Sequence, residues 1–91
     1  IYDPPQYVAM WMKNTLLPLD MLFVDQSGCV ITIKQNAKPG ALAEIVSRLP
    51  VVLVVELKAG TTASKGMAVG DRVLRLDAGW PADEADCTAL R

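Results

Sequence analysis

The order of apolar and polar residues predicts short β-strands, because apolar side chains recur at every second position rather than at helical spacing. In the segment 7–13, Val8, Met10 and Met12 would face the interior and the intervening residues would face the other way. Residues 14–20 include a proline, which cannot donate to a sheet ladder, so we expect an irregular crossover there. The outward positions of the first strand are Tyr7, Ala9, Trp11 and Lys13.

A β-hairpin is the clearest element that the sequence predicts. Two segments, 21–25 and 29–35, are joined by Asp25-Gln26-Ser27-Gly28, in which Gly28 can adopt the positive φ that closes such a turn. In the second segment, Val30 and Thr32 alternate with isoleucines, which is typical of a half-buried antiparallel strand. We therefore expect these two segments to pair.

The second half of the chain predicts a buried strand between short helical segments. Residues 41–48 have fair helix propensity and are expected to form one or two turns. Residues 51–57 are continuously apolar except for Glu56, which predicts a strand buried on both faces. A short helix over 61–67, capped by a threonine, and a final strand over 72–76 complete the prediction.

These elements form one predicted domain, residues 1–76, followed by a C-terminal tail, residues 77–91, that is expected to lie on the surface. The 91 residues are 52% hydrophobic and 21% charged, which is typical of a globular chain and argues against disorder. No segment approaches the roughly 18 apolar residues that cross a membrane, and no signal peptide is recognisable. We interpret the abrupt start at Ile1 as that of a mature or trimmed fragment.

Charge and residue types exclude several classes of function. Nine basic and ten acidic side chains leave a net charge of −1 and form no block, so the clustered cations that bind nucleic-acid phosphates are not visible. The sequence contains no histidine, so neither a Ser-His-Asp or Cys-His nucleophile system nor an imidazole zinc site can be built from this chain alone. We predict no metal and no cofactor, while carboxylate, lysine or tyrosine acid–base chemistry stays compatible with the composition.

The chain has two cysteines, Cys29 and Cys87. One distant pair is too few to indicate a disulfide framework. We favour two thiols, with Cys29 half-buried at the start of a strand and Cys87 in a loose tail, over a structural disulfide.

Several motifs stand out once these elements are in place: Trp11-Met12-Lys13-Asn14-Thr15, Pro18-Leu19-Asp20, Leu22-Phe23-Val24-Asp25, Gly28 with Val30, Glu56 before Ala59-Gly60, and Gly70-Asp71 before Val73. They give residues 3–76 a resemblance to DUF192, a family of uncharacterised bacterial and archaeal proteins. Members of that family usually carry a preceding segment with an Arg…Gly-Leu-Met pattern and a Gly-Met-Leu-Phe strand. The resemblance therefore implies that the N-terminal part of the domain is missing here, with only Ile1-Tyr2 remaining of that strand.

The resemblance implies a mainly β, small α+β fold: a compact antiparallel β barrel or sandwich with one short helix near residues 61–67. It also implies a periplasmic or cell-envelope location, since many bacterial relatives are exported. It supplies no activity, and a β-sandwich fold would not supply one either, because such folds host unrelated functions.

Lys13, Asn14, Asp20 and Glu56 are the candidate site residues, together with Trp11. If they converge, Trp11 could stack on a sugar while the carboxylates and the amide bind its hydroxyl groups. Structural roles are the alternative: Asp20 could accept backbone N–H groups, Asn14 could satisfy the crossover, and Lys13 could pair with Glu56.

Three hypotheses follow from the sequence. The one we favour is a non-catalytic binding or accessory domain, for a carbohydrate or another small molecule or envelope component. The second is a hydrolase in which Asp20 and Glu56 act as paired carboxylates. The third is a protein-interaction module that uses an exposed sheet edge.

Overall fold

The computed structural model describes residues 2, 4–12, 15–41, 44–47, 49–73 and 87. Five strands and one helix are formed by these residues: β1 (Ala9–Met10), β2 (Leu19–Val24), β3 (Val30–Ala37), β4 (Ile45–Val46), β5 (Leu53–Lys58) and α1 (Thr61–Ser64). One sheet has the strand order β3-β2-β5 and a second, smaller sheet pairs β1 with β4; all of these pairings are antiparallel.

Strand β2 is the centre of the larger sheet. It pairs with β3 on one side and with β5 on the other, and every residue from Asp20 to Val24 is buried. The sequence assigned this double burial to residues 51–57, and that prediction is wrong: β5 is half-buried with an exposed Glu56. Among the described strands, β5 has a neighbouring strand on one side only, whereas β2 has one on each side. Apolar cores also cover both faces of β2.

Two apolar cores lie on the two faces of β2, because alternate side chains of a strand point to opposite sides. Met21 and Phe23 belong to the first core, which the β1–β4 layer covers with buried residues such as Met12. Leu22 and Val24 belong to the second, where partly buried residues of the segment that follows β5 pack against them. The predicted inward positions of the first strand are confirmed: Val8, Met10 and Met12 all pack into the first core.

The predicted hairpin is confirmed, and it contains an irregularity that the sequence did not indicate. Leu19 pairs with Ala37 and Met21 with Lys34, so two residues of β3 lie opposite Asp20. This is a β-bulge, which kinks a strand and leaves the extra residue outside the regular ladder. Asn36 is in the bulge and has a φ of 51°, a left-handed conformation that asparagine tolerates better than most residues.

The prediction of helical turns over 41–48 is wrong for its described part. Ile45–Val46 is a strand that pairs with Ala9–Met10, and residues 42, 43 and 48 lie outside the described residues. The backbone N–H of Val8 also donates to Ser47 Oγ at 2.8 Å. Two consecutive β-branched residues fit a strand better than a helix, and a helix of eight residues is marginal without packing support.

The helix predicted over 61–67 is present but shorter, with α1 ending at Ser64. The residue before it, Gly60, has a φ of 91°, and no threonine side chain caps the first turn as the sequence suggested. Of the strand predicted over 72–76, Arg72 forms a single bridge with Cys29. Residues 74–76 lie outside the described residues.

A disulfide joins Cys29 to Cys87, with 5.5 Å between their Cα atoms, and both residues are buried. The prediction of two thiols is therefore wrong. Sequence separation could not reveal this pairing, because it depends on how the chain returns to the start of β3. Apart from Cys87, the predicted tail 77–91 lies outside the described residues, and the boundary at residue 76 stays a prediction.

The predicted fold class is confirmed: the molecule is mostly β, with antiparallel sheets and one short helix, and its layers fit a sandwich. The described strands do not close into a barrel. Over the same part of the chain, no helix has the length and apolar character to cross a membrane.

The disulfide leads to a stability prediction. Closing a loop of 58 residues restricts the unfolded chain, and loops of this size correspond to about 4 kcal/mol in the chain-entropy model. We expect reductant to lower the melting temperature of the wild-type protein markedly, as measured by circular dichroism.

The matched control is the Cys29→Ser, Cys87→Ser double variant. Its melting temperature should match that of the reduced wild type and should not respond to reductant. Equal melting temperatures for oxidised and reduced wild type would contradict a structural disulfide.

Candidate functional site

The structure does not gather the sequence-predicted site residues into one place. Asp20 is fully buried beside the second core, whereas Glu56 is exposed. Trp11, directly after β1, is 50% exposed, whereas its neighbour Met12 is fully buried. Lys13 and Asn14 lie outside the described residues, so their part in a site stays a prediction.

The Asp20 side chain accepts several hydrogen bonds from neighbouring elements. Its Oδ1 accepts the backbone N–H of Asn36 at 2.8 Å, and its Oδ2 accepts the backbone N–H and the hydroxyl of Thr62 at 2.9 Å and 2.8 Å. The backbone N–H of Gly60 also donates to this carboxylate. Asp20 therefore connects β2 to the bulge of β3 and to the first turn of α1.

The pKa of the Asp20 carboxyl lies below its ordinary value. Burial by itself raises this pKa, because it penalises the charged form, but the hydrogen bonds from Asn36, Thr62 and Gly60 favour the carboxylate and outweigh burial. The side chain is thus a buried anion, stabilised by backbone N–H groups and one hydroxyl rather than by an ion pair with another described residue.

The ionised carboxylate orients the groups around it. It can only accept hydrogen bonds, so the Thr62 hydroxyl must donate to it. The Thr62 oxygen then accepts from Gln35 Nε2 at 3.1 Å. This directs the amide nitrogen of Gln35 towards Thr62 and leaves its carbonyl oxygen without a hydrogen-bond partner among the described residues.

Asp20 and Glu56 are not brought together. In the β2–β5 register Asp20 is opposite Leu57 and Met21 is opposite Glu56. Directly paired residues share a face of the sheet, so the two carboxylates extend from opposite faces. In glycoside hydrolysis the two carboxylates flank the bond that is broken. Asp20 and Glu56, on opposite faces of the sheet, cannot flank one substrate bond in this way.

A pocket of about 360 Å³ lies next to Asp20. Its lining combines amide side chains with very small residues from the turn before α1 and from α1 itself. These residues are Asp20, Gln35, Asn36, Ala59, Gly60, Thr62 and Ala63. Asp20 is a candidate from the sequence, whereas the two amides are not. The only signal for them in the sequence is the change from apolar alternation to Gln35-Asn36 near the end of β3.

A second feature is the outer side of the β1–β4 layer, which we call the aromatic face: Tyr7, Ala9, Trp11 and Val46. All four are exposed, with Tyr7 71% accessible. Tyr7 and Trp11 are four positions apart, one before and one after β1, and a fully extended chain would separate their Cα atoms by roughly 13 Å. The small Ala9 lies between them, so no bulky side chain interrupts the surface.

Metal ligands are not clustered in the described part of the chain: no group of three or more histidine, cysteine, aspartate or glutamate side chains is placed to hold an ion there. Both described cysteines are joined to each other. The buried carboxylate has its hydrogen bonds supplied by the protein itself, so it is not arranged as an open metal ligand.

Comparison with known proteins identifies the family. The model of DUF192, described as uncharacterized ACR, matches residues 1–75. The chain belongs to this family. No curated protein matches the sequence. Membership thus confirms the resemblance that the motifs indicated, and it brings no activity with it.

Two crystal structures share the DUF192 fold of this chain. One, from Sinorhizobium meliloti 1021, is provisionally described as a transcription regulator; it is 51% identical over 78% of this chain and 55% of that one, with a TM-score of 0.75. The other is a protein of unknown function from Novosphingobium aromaticivorans DSM 12444, 33% identical over 82% of this chain and 54% of that one, with a TM-score of 0.79. The chain thus spans just over half the length of each neighbour.

The Asp20 network predicts a pH-dependent loss of stability on substitution. Asp20→Asn replaces one acceptor oxygen by an NH₂ group that faces N–H donors. We expect the free energy of unfolding at pH 7 to fall by about 2–3 kcal/mol, as measured by urea denaturation followed by tryptophan fluorescence.

The sign of the pH dependence follows from the lowered pKa. The folded-state pKa of Asp20 lies below the unfolded value, so its contribution is complete above the unfolded pKa of about 4 and is lost as the pH falls through the folded value. The difference in the free energy of unfolding between wild type and Asp20→Asn should therefore narrow only below about pH 4. Glu56→Gln, an exposed carboxyl on the same sheet, is the control and should stay within about 0.5 kcal/mol of wild type. An equally small effect of Asp20→Asn would overturn the assignment.

Proposed function

We propose that this DUF192 domain is a non-catalytic binding domain of the cell envelope, which binds a glycan on its aromatic face. The observation that carries the proposal is the exposure of Tyr7 and Trp11, which flank β1, while Val8, Met10 and Met12 between and beside them pack into the first core. Tyrosine and tryptophan are large amphipathic rings that stack on apolar surfaces and also hydrogen-bond at their polar ends. The C–H face and hydroxyl groups of a sugar match both properties.

The spacing of the rings supports an extended ligand. The two exposed rings flank β1, with Ala9 between them in sequence and Val46 paired opposite Ala9, which suits an elongated platform rather than a closed cavity. Such a surface fits several units of a glycan chain better than one small molecule. Trp11 is the residue of this platform that the sequence singled out.

Binding rather than catalysis is favoured by the state of Asp20. It is buried and its carboxylate is already occupied by N–H and O–H donors, so it is not free to transfer a proton or attack a substrate. Its proposed hydrolytic partner Glu56 extends from the other face. The strongest polar network of the described residues therefore serves to hold the fold together.

The location in the envelope is supported by the disulfide between Cys29 and Cys87. Disulfides form and persist in oxidising compartments such as the periplasm, and they are rare in the cytosol of mesophiles. Both sulfur-bearing residues are buried, so the bond has a structural position rather than an exposed, exchangeable one.

A protein partner is the second candidate ligand for the same region, and one observation favours it. Leu16 and Leu17, in the segment after β1, are 90% and 70% exposed. Exposed aliphatic side chains near aromatic ones are typical of protein-interaction surfaces rather than of sugar platforms. A DNA-binding role, which the description of the S. meliloti protein would suggest, is disfavoured by the net charge of −1.

Loss of the Trp11 ring tests the proposal. We expect Trp11→Ala to weaken binding of soluble peptidoglycan fragments or lipopolysaccharide core oligosaccharides by about tenfold, because a stacked ring contributes of the order of 1 kcal/mol beyond its buried area. Trp11→Phe should retain most of the affinity. The measurement is isothermal titration calorimetry against this panel.

Two controls separate the candidates. Gln26→Ala, an exposed change in the β2–β3 turn, should leave the affinity unaltered. Leu16→Ser with Leu17→Ser should not alter glycan binding, but would abolish association with a protein partner or with a second copy, as followed by analytical ultracentrifugation. Failure of every glycan to bind wild type would reject the glycan proposal.

A further inference from the structure

We propose that the pocket beside Asp20 binds a small molecule that carries an ammonium or guanidinium group. This site is separate from the aromatic face, because it opens on the side of β2 that carries the second core, whereas β1 and β4 cover the first core. Its volume of about 360 Å³ is at the lower end of the range for small-molecule sites. The proposal is therefore independent of the glycan.

The charge of Asp20 favours a cationic ligand. Asp20 carries a buried negative charge that no ion pair with another described residue compensates. Backbone N–H dipoles stabilise this charge but do not cancel its net value. A charge of this kind acts at longer range and with weaker screening than one in water, so it favours a cation at the pocket that it lines.

Hydrogen-bond polarity also bears on the ligand. Gln35 Nε2 donates one N–H to the Thr62 oxygen, and the Thr62 hydroxyl donates to Asp20. The side-chain amides of Gln35 and Asn36 both line the pocket, and beside their remaining N–H groups each has a carbonyl oxygen without a hydrogen-bond partner among the described residues. Carbonyl oxygens accept hydrogen bonds, and an ammonium or guanidinium group offers only donors.

The rim of the pocket is small and uncharged. Ala59, Gly60 and Ala63 contribute no charge and little bulk, so they leave room for a ligand. None of the described lysines or arginines lines the pocket. Two lysines are next in sequence to lining residues: Lys34 precedes Gln35, and Lys58 precedes Ala59. Lys34 is paired with Met21 and Lys58 with Leu19, so both lysines extend from the face of the sheet opposite to that of Asp20.

The test compares probes of one shape and different charge. Butylammonium, butanol and butyrate, with guanidinium as a fourth probe, are titrated into the ¹⁵N-labelled protein. Chemical shifts of the Gln35 and Asn36 side-chain NH₂ groups are the reporters. We expect saturable shifts at millimolar concentrations with butylammonium and guanidinium, and none with butanol or butyrate.

Two pairs of variants place the effect in the pocket. Ala63→Lys adds a cation to the rim and should weaken butylammonium binding about tenfold by like-charge repulsion, whereas Ala63→Met adds similar bulk without charge and should not. Asn36→Gly keeps the positive φ and the N–H bond to Asp20 while removing only the side-chain amide, so it should weaken binding without unfolding the protein. Gln26→Ala is the unrelated surface control.

The outcomes decide the proposal in both directions. Cation-selective shifts that Ala63→Lys weakens and Ala63→Met preserves would support it. Equal shifts with butanol, shifts confined to other residues, no saturation, or identical behaviour of the two Ala63 variants would each overturn it. None of these results depends on glycan binding, so failure here and failure of the proposed function are distinguishable.

Discussion

The structure depends on one buried carboxylate. Asp20 accepts the N–H group of a strand bulge, at the exposed Asn36, and that of a helix start, at the buried Thr62. Each such group would cost about 1–3 kcal/mol if it were buried unpaired. By satisfying them from the middle of β2, this single side chain fixes where β3 bends and where α1 begins. The cost is a buried charge that no ion pair with another described residue compensates.

The local pattern of the sequence predicted those structural elements whose formation depends on residues close together in the chain. The hairpin after Met21, the alternation of Val8, Met10 and Met12, and a short helix after Gly60 all follow from side-chain period and turn chemistry. Burial of whole strands was assigned less well. The run of valines at 51–57 was expected to be central, but β2 has the two neighbours and β5 has one among the described strands.

What could not be predicted depends on contacts between distant residues. The Cys29–Cys87 bond spans 58 positions, and Ile45–Val46 becomes a strand because β1 offers it a partner. Asp20 was recognised as a candidate, but its partners Asn36 and Thr62 lie 16 and 42 positions away. The motif therefore located the residue and left two roles open for it. The fold decides between them, because Asp20 accepts backbone N–H groups and lies on the opposite face of the sheet from Glu56.

The position of β2 between two cores has a consequence for function. Its odd-numbered side chains support the layer that presents Tyr7 and Trp11, and its even-numbered ones support the pocket with the buried charge. Tyr7 and Trp11 are exposed on the first side, while the pocket on the second side is small and lined by the amides Gln35 and Asn36 beside Asp20. The glycan and the cation that we propose as ligands would therefore bind on opposite sides of the central strand, within a domain of 91 residues.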